Sequence, residues 1–242
     1  MTAKRIAMWS GPRNISTAMM RAWENRADTF VWDEPLYGPY LHTTGIQHPG
    51  QADIIAAQGP DWQPIVARCI DDAPDGSAVF YQKQMTHHLL PSMDWDWVAK
   101  LQNCLLIRSP EEVLASYRRT RPDATQEDLG IIRQAEIFNH VAALQGPPLV
   151  IDAKDVLLNP RAILTTICQS FEIEFDDAML SWPAGKRESD GVWGPYWYDS
   201  VWTSTGFQAY SPRNVTTPPE YAALIDECMP HYERLYAERV QI

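Results

Sequence analysis

The chain is poor in positive charge. Its 242 residues carry 20 Lys and Arg against 31 Asp and Glu, a formal net charge of -11. A general basic surface for nucleic acid is therefore excluded. A few clustered Arg and Lys can still focus a local positive field on an anion. Cysteine is scarce as well: Cys69, Cys104, Cys168 and Cys228 are widely spaced and form no Cys-x-x-Cys pair. That excludes a disulfide framework or zinc site of the usual spacing and fits buried, reduced thiols in a cytoplasmic protein. No apolar run reaches membrane-spanning length, and no long apolar region follows Lys4 and Arg5. Neither a membrane span nor a signal peptide is expected. Repeats, low-complexity segments and a clear metal-ligand cluster are missing too.

What the chain does have is a set of short, continuous apolar runs: Arg5–Ser10, Phe30–Trp32, Ala78–Tyr81, Cys104–Ile107 and Pro148–Ile151. Continuous rather than alternating apolarity marks strands covered on both faces. Amphipathic helical stretches are expected at Ser16–Asn25, Pro110–Arg119, Gln126–Leu144, Arg161–Phe171 and Pro219–Glu238. Strands alternating with helices predict a mostly parallel sheet in a three-layer α/β/α sandwich, with residues 1–242 as one domain. Ligands of such sheets bind beyond the carboxyl ends of the strands. Ser10, Asp33, Gln82, Arg108 and Asp152 are placed there by the sequence. Residues 184–214 differ, with Trp193, Tyr196, Trp197, Tyr198, Trp202, Phe207 and Tyr210 among Gly, Ser and Pro. They read as an irregular loop, either a lid over an acceptor pocket or a satellite hydrophobic cluster.

Two strand-turn-helix motifs carry the chemistry. In the first, a strand ends at Ser10, Gly11-Pro12-Arg13-Asn14-Ile15 turns, and a helix opens at Ser16-Thr17-Ala18. Free N–H groups, the helix dipole, two hydroxyls and Arg13 make an anion site. The plainer reading is a turn capped by Ser16 or Thr17. A triphosphate P-loop needs Gly, four residues, then Gly-Lys-Ser/Thr, and the Gly-Lys pair is missing. In the second motif, Arg108 ends a strand and Ser116 follows eight residues later on a helix beginning at Pro110. They can converge on one anion. Alternatively, Arg108 pairs with Glu111 or Glu112 and Ser116 packs on a helix face.

Together these motifs resemble the PAPS-dependent sulfotransferases, which carry a 5′-phosphosulfate loop at the first strand and an Arg/Ser pair for the 3′-phosphate about one hundred residues on. Pro12-Arg13-Asn14-Ile15-Ser16-Thr17 stands where the family commonly reads Pro-Arg/Lys-Ser-Gly-Thr-Thr, so Ile15 replaces the loop Gly. Arg108, Pro110 and Ser116 match Arg-x-Pro-x5-Ser. Lys83 before Leu89-Leu90-Pro91, and Asp155-Val156-Leu157-Leu158-Asn159-Pro160 before a helix and Phe171, fit further family segments. Arg13 to Glu34 spans 21 residues, the arrangement in which the tyrosylprotein branch places its base. The family's C-terminal Arg-Lys-Gly element has no match; Lys186, Arg187 and Arg213 are the candidate substitutes.

The resemblance implies a P-loop NTPase-like fold with PAPS as co-substrate and no metal. Arg13, Asn14, Ile15, Ser16, Thr17 and Ala18 would hold the 5′-phosphate, and Arg108 and Ser116 the 3′-phosphate. Arg13 and Lys83 would face the leaving group, with Glu34 as base and His87 or His88 as its rival. The plainer readings are a salt-bridged Glu34 beside Asp33 and a structural His. The expected reaction is metal-independent, in-line sulfuryl transfer to a hydroxyl or amine of a small-molecule acceptor. Nucleic-acid and membrane partners are not expected, and a homodimer is compatible with this reading. The competing classes are a small-metabolite kinase, which would depend on magnesium, and a non-catalytic nucleotide-binding protein on the same scaffold.

Overall fold

Side-chain alternation along the first strand shows how the core is divided. Ile6 and Met8 enter one hydrophobic cluster, Ala7 and Trp9 the other, and all four are fully buried. This is strand β1 (Lys4–Ser10), the centre of the sheet. The computed structural model describes residues 2–119, 121–212 and 215–242. Its other strands are β2 (Thr29–Asp33), β3 (Val79–Met85), β4 (Gln102–Ile107) and β5 (Leu149–Asp152). They form one parallel sheet in the order β2-β3-β1-β4-β5.

The described helices are α1 (Ser16–Glu24), α2 (Tyr37–Thr44), α3 (Gln51–Gln58), α4 (Trp62–Cys69), α5 (Pro110–Tyr117), α6 (Gln126–Leu129), α7 (Ile131–Gln145), α8 (Ala153–Leu158), α9 (Pro160–Ser170), α10 (Gly194–Trp197), α11 (Asp199–Trp202) and α12 (Ala222–Ala237). From β1 the chain steps past the β3 position to β2, and every later crossover runs the opposite way. Right-handed crossovers then place α1 on one face and the later connections on the other. The packing agrees: α1, α8 and α9 share the cluster of Ile6 and Met8, while α4, α7 and α12 share that of Ala7 and Trp9. The three layers leave a crevice above β1, at the carboxyl edge, where the strand order reverses.

The five expected strands are all present, with shifted ends. β3 continues to Met85, so Gln82 lies inside it rather than at its end, donating from Nε2 to the Cys69 carbonyl at 2.7 Å. The expected helix Gln126–Leu144 is two helices, α6 and α7, because Gly130 sits between them at φ 71°. A Cβ on Gly130 would lie 2.5 Å from Thr86 Oγ1. The final helix is preceded by a 3-10 turn at Pro219–Tyr221. Among the described residues of 184–214, only α10 and α11 are helices. The segment is clamped to α1 by a buried ion pair, Arg21 to Asp190, and Asp190 also accepts from Trp202 Nε1 at 2.9 Å. No helix among the described residues is long and apolar enough to cross a membrane.

Gly11, the first residue after β1, is packed directly against backbone. A Cβ there would lie 2.5 Å from the Leu129 backbone carbonyl oxygen at the end of α6. Overpacking against backbone has no flexible neighbour to absorb it. Gly11→Ala is expected to destabilise the protein by about 1–3 kcal/mol, read as a lower urea unfolding midpoint. An unchanged midpoint would show that α6 does not constrain the loop.

Candidate functional site

A cavity of about 330 Å³ opens at the carboxyl edge of the sheet. Its wall includes Arg13, Asn14, Ile15, Ser16, Thr17, Ala18, Glu34, Lys83, His87, Arg108 and Ser116. The residues expected to hold the two phosphates, face the leaving group or serve as base therefore lie around one space, although the motifs are separated by up to about one hundred residues in the chain.

The first loop reaches the cavity through strained backbone. Arg13 and Ile15 adopt φ 55° and 53°. Left-handed backbone is unusual for a β-branched residue and costs of order 1–3 kcal/mol. Ile15 thus takes the conformation that Gly adopts at little cost, and its apolar side chain packs on the α1 face of the core. Ile15 is also the cap residue of α1, with no side-chain cap bond. The helix therefore opens at Ser16 with neither Ser16 nor Thr17 as its cap, and Ser16, Thr17 and Ala18 line the cavity. Asn14 braces the turn, its Nδ2 donating to the Leu106 carbonyl.

The second motif meets the first directly. Arg13 Nε donates to Ser116 Oγ at 3.1 Å, and Arg108 Nη1 donates to the Arg13 carbonyl at 2.8 Å. Arg108 Nε also pairs with Glu112 Oε2 at 2.8 Å, one turn into α5. The ion pair expected from the plainer reading is thus present, and Arg108 lines the cavity as well. Burial, Arg119 and Arg108 lower the pKa of Arg13. This crowding of positive charge favours an anion between the two motifs.

Below them, β2 and β3 build a buried charge cluster. Lys83 is 1% exposed, and its ammonium donates to Asp33 Oδ1 at 2.9 Å, Tyr198 OH at 2.7 Å and Glu34 Oε1. All three ammonium protons are thereby used. Tyr198 OH accepts from Trp193 Nε1 at 2.9 Å and donates to Asp33 Oδ2 at 2.7 Å. The cluster holds two carboxylates against one ammonium. Burial raises the pKa of Glu34 against the pull of Lys83, and Asp33 raises it further. Burial opposes the charge on Lys83, but Asp33 and Glu34 outweigh it and raise the ammonium pKa. Glu34 Oε2 has no hydrogen bond among the described residues. The residue stands at φ 39°, held by Gln58 Nε2 on its carbonyl at 2.9 Å and by its own N–H on the Lys83 carbonyl at 2.9 Å.

The remaining candidates divide. His87 and His88 both line the cavity, and burial lowers both imidazole pKa values, that of His87 to about 3. Ser10 and Asp152 do not reach it: Ser10 Oγ faces Met85 Sδ, while Asp152 caps α8 and accepts from Tyr232 OH at 3.0 Å. Lys186 lies over the Trp202 ring and Arg187 bonds the Pro183 carbonyl, both away from the cavity. Arg213 falls outside the described residues. The aromatic segment serves two ends, with Trp197, Tyr198, Val201 and Phe207 on the cavity wall and Trp193 and Trp202 in a cluster with Tyr37, Tyr40 and Ile54. Tyr37 and His48 escaped the sequence reading, since no motif or spacing marks them, and Tyr198 entered it only as one aromatic residue of the 184–214 segment. No group of three or more His, Cys, Asp or Glu among the described residues is placed to hold a metal ion.

Comparison with known proteins agrees with this fold. Residues 4–239 match the family model described as Sulfotransferase domain. Branched-chain-amino-acid aminotransferase-like proteins 2 and 1 of Arabidopsis thaliana are 31% and 32% identical to the chain over 230 and 231 residues, each match covering 95% of it. The chain spans about two fifths of their length, 41% in each case. Among solved structures, the sulfotransferase domain of the Synechococcus PCC 7002 olefin synthase aligns over 100% of this chain and 98% of its own, with TM-score 0.61 and 16% identity. A sulfotransferase from Alicyclobacillus acidocaldarius aligns over 100% and 98%, with TM-score 0.54 and 10% identity. At such identities the structures speak to the fold alone.

Because the folded protein raises the Glu34 pKa, it keeps a proton that the unfolded chain releases above the ordinary value of 4.5. Ionising Glu34 therefore lowers stability as pH rises through that interval. Glu34→Gln, a neutral side chain of the same shape, is expected to compare more favourably with the wild type in stability at pH 8 than at pH 5. Urea unfolding at both pH values measures this, and equal effects would contradict the assignment.

Proposed function

The chain belongs to the sulfotransferase domain family, and from that premise we propose that it transfers a sulfuryl group from PAPS to a hydroxyl or amine of a small-molecule acceptor. The observation that carries this reading is one cavity lined by both strand-turn-helix motifs and by a buried carboxylate, Glu34. The donor set suits a nucleotide with phosphates at both ends. The uncapped first turn of α1 and the Ser16 and Thr17 hydroxyls suit the 5′ end. Arg108 and Ser116, brought to the loop through Arg13, suit the 3′-phosphate.

PAPS supplies an activated sulfuryl group; the acceptor oxygen or nitrogen forms a bond to sulfur as the sulfur–phosphate-oxygen bond breaks. The chain's own groups do the rest. Arg13 presents fixed positive charge where the leaving phosphate gains negative charge, which lowers the barrier without reorganisation. Glu34 takes the acceptor proton at Oε2, while Oε1 stays on Lys83. A carboxylate whose pKa is raised by burial is a better match to neutral pH than an ordinary one. Lys83 is at the cavity wall but saturated by Asp33, Glu34 and Tyr198, so its service to the leaving group runs through its charge. The four cysteines are free and buried, in accord with a cytoplasmic setting.

Calorimetric titration tests the reading. 3′-Phosphoadenosine 5′-phosphate should bind more tightly than adenosine 5′-phosphate or ATP. Arg108→Ala should weaken that binding by about 10- to 100-fold, the loss of one or two charge-assisted hydrogen bonds. Equal affinity for the mono- and bisphosphate would point instead to a kinase or a non-catalytic phosphate binder. In sulfuryl transfer, Glu34→Gln should lower kcat by about 10²- to 10⁴-fold, and a smaller loss would remove Glu34 as the base.

A further inference from the structure

His87 and His88 occupy the cavity wall opposite no charged partner of their own. His88 is stacked between Tyr37 and Tyr40, with ring centroids 4.5 and 4.7 Å away, and His87 meets His88 at 4.4 Å. In each ring Nδ1 is sealed from solvent and has no hydrogen-bond partner. The Nε2 atoms have no hydrogen bond among the described residues either, but they are not sealed, and both residues line the cavity. A neutral imidazole carries one N–H and one bare nitrogen. Burying the N–H without a partner costs a full desolvation penalty, whereas a proton on the open nitrogen can meet solvent or ligand. The proton therefore sits on Nε2 in both rings. His48 obeys the same rule with the opposite result. Its Nε2 is sealed and unpartnered, so its proton lies on Nδ1, bonded to Tyr37 OH at 2.8 Å.

We infer that His87 and His88 are neutral Nε2–H donors that hold the acceptor through an oxygen lone pair, and that they do not accept its proton. The inference rests on the sulfuryl-transfer reading and narrows it from hydroxyl or amine to hydroxyl. A protonated amine presents only N–H donors, and two further donors facing it leave both sides unpaired. Switching an imidazole to the other tautomer would place an N–H at the sealed, partnerless position. The surroundings keep the rings neutral: burial lowers both pKa values, and the Lys83 ammonium opposes a second positive charge on His88. Lys83 is itself paired to Asp33 and Glu34. Nε2–H of one ring on the acceptor oxygen leaves that oxygen a second lone pair for sulfur and its own proton for Glu34. The two histidines thus orient the acceptor, and Glu34 remains the base.

Two measurements test this. Nitrogen-15 NMR of the imidazoles of the full chain needs no substrate. It should show both rings as Nε2–H tautomers with no titration between pH 5 and 8; an Nδ1–H tautomer or an imidazolium in that range would overturn the inference. The second pairs benzyl alcohol with benzylamine as acceptors, with PAPS as donor, in the wild type, His87→Gln, His88→Gln, His87→Phe and His88→Phe. The alcohol should be preferred by at least tenfold in kcat/KM. The Phe variants should lose about tenfold toward the alcohol, and the Gln variants, which keep an N–H donor, should recover most of it with an unchanged pH profile. Preference for the amine, no reaction with the alcohol while benzylamine turns over, or a pH limb that vanishes in a Gln variant would overturn it. Failure of the bisphosphate to bind would instead sink the sulfuryl-transfer reading and leave the tautomer result standing.

Discussion

The buried ammonium of Lys83 is the interaction on which the site depends. Lying in the second half of β3, it is 1% exposed and cannot be hydrated, so its charge must be met within the protein. It is met from three directions: by Asp33 at the end of β2, by Glu34 just beyond it, and by Tyr198 from the aromatic segment far along the chain. One side chain thereby ties two parallel strands to the wall that closes over them. Such clusters add little net stability against an apolar replacement, but losing one partner is costly because the others are left buried and unpaired. The arrangement therefore favours one geometry, with Glu34 held by one oxygen and open at the other.

Strain follows the same plan. Four non-glycine residues among those described have positive φ: Arg13, Ile15, Glu34 and Glu172. The first three line the cavity. Each is over-determined by its neighbours, Arg13 by Arg108 on its carbonyl, Ile15 by the core beneath it, and Glu34 by Gln58 and the Lys83 carbonyl. Backbone of this kind survives where the surrounding structure holds it, and it clusters where ligands are gripped. The sheet topology supplies the stage: β1 ends at the point where the strand order reverses, and both the first loop and Glu34 line the cavity there.

Much of this was legible in the sequence, for reasons particular to the residues. The five strands showed as continuous apolar runs because both faces of the sheet are buried. Arg108, Pro110 and Ser116 kept a spacing that a strand-turn-helix converts into proximity, and the Arg13-to-Glu34 interval did the same across the first crossover. What was not legible depends on contacts distant in sequence. That Ile15 can stand for the loop Gly requires knowing its φ. The saturation of Lys83 needs Tyr198, an aromatic residue in a segment without periodicity. The break at Gly130 arises because the chain must turn past Thr86, and the end of β3 moved because its pairing with β1 runs on to Met85.

The proposed chemistry turns on Glu34 being a buried carboxylate, held by Lys83 and ready to take a proton. The most direct test is a carbon-13 NMR titration of its side-chain carboxyl, assigned by loss of the signal in the Glu34→Gln variant. The account predicts a midpoint above the ordinary glutamate value of 4.5, because burial and Asp33 outweigh the attraction of Lys83. A midpoint at or below that value would contradict it and make Glu34 a plain salt-bridge partner of Lys83.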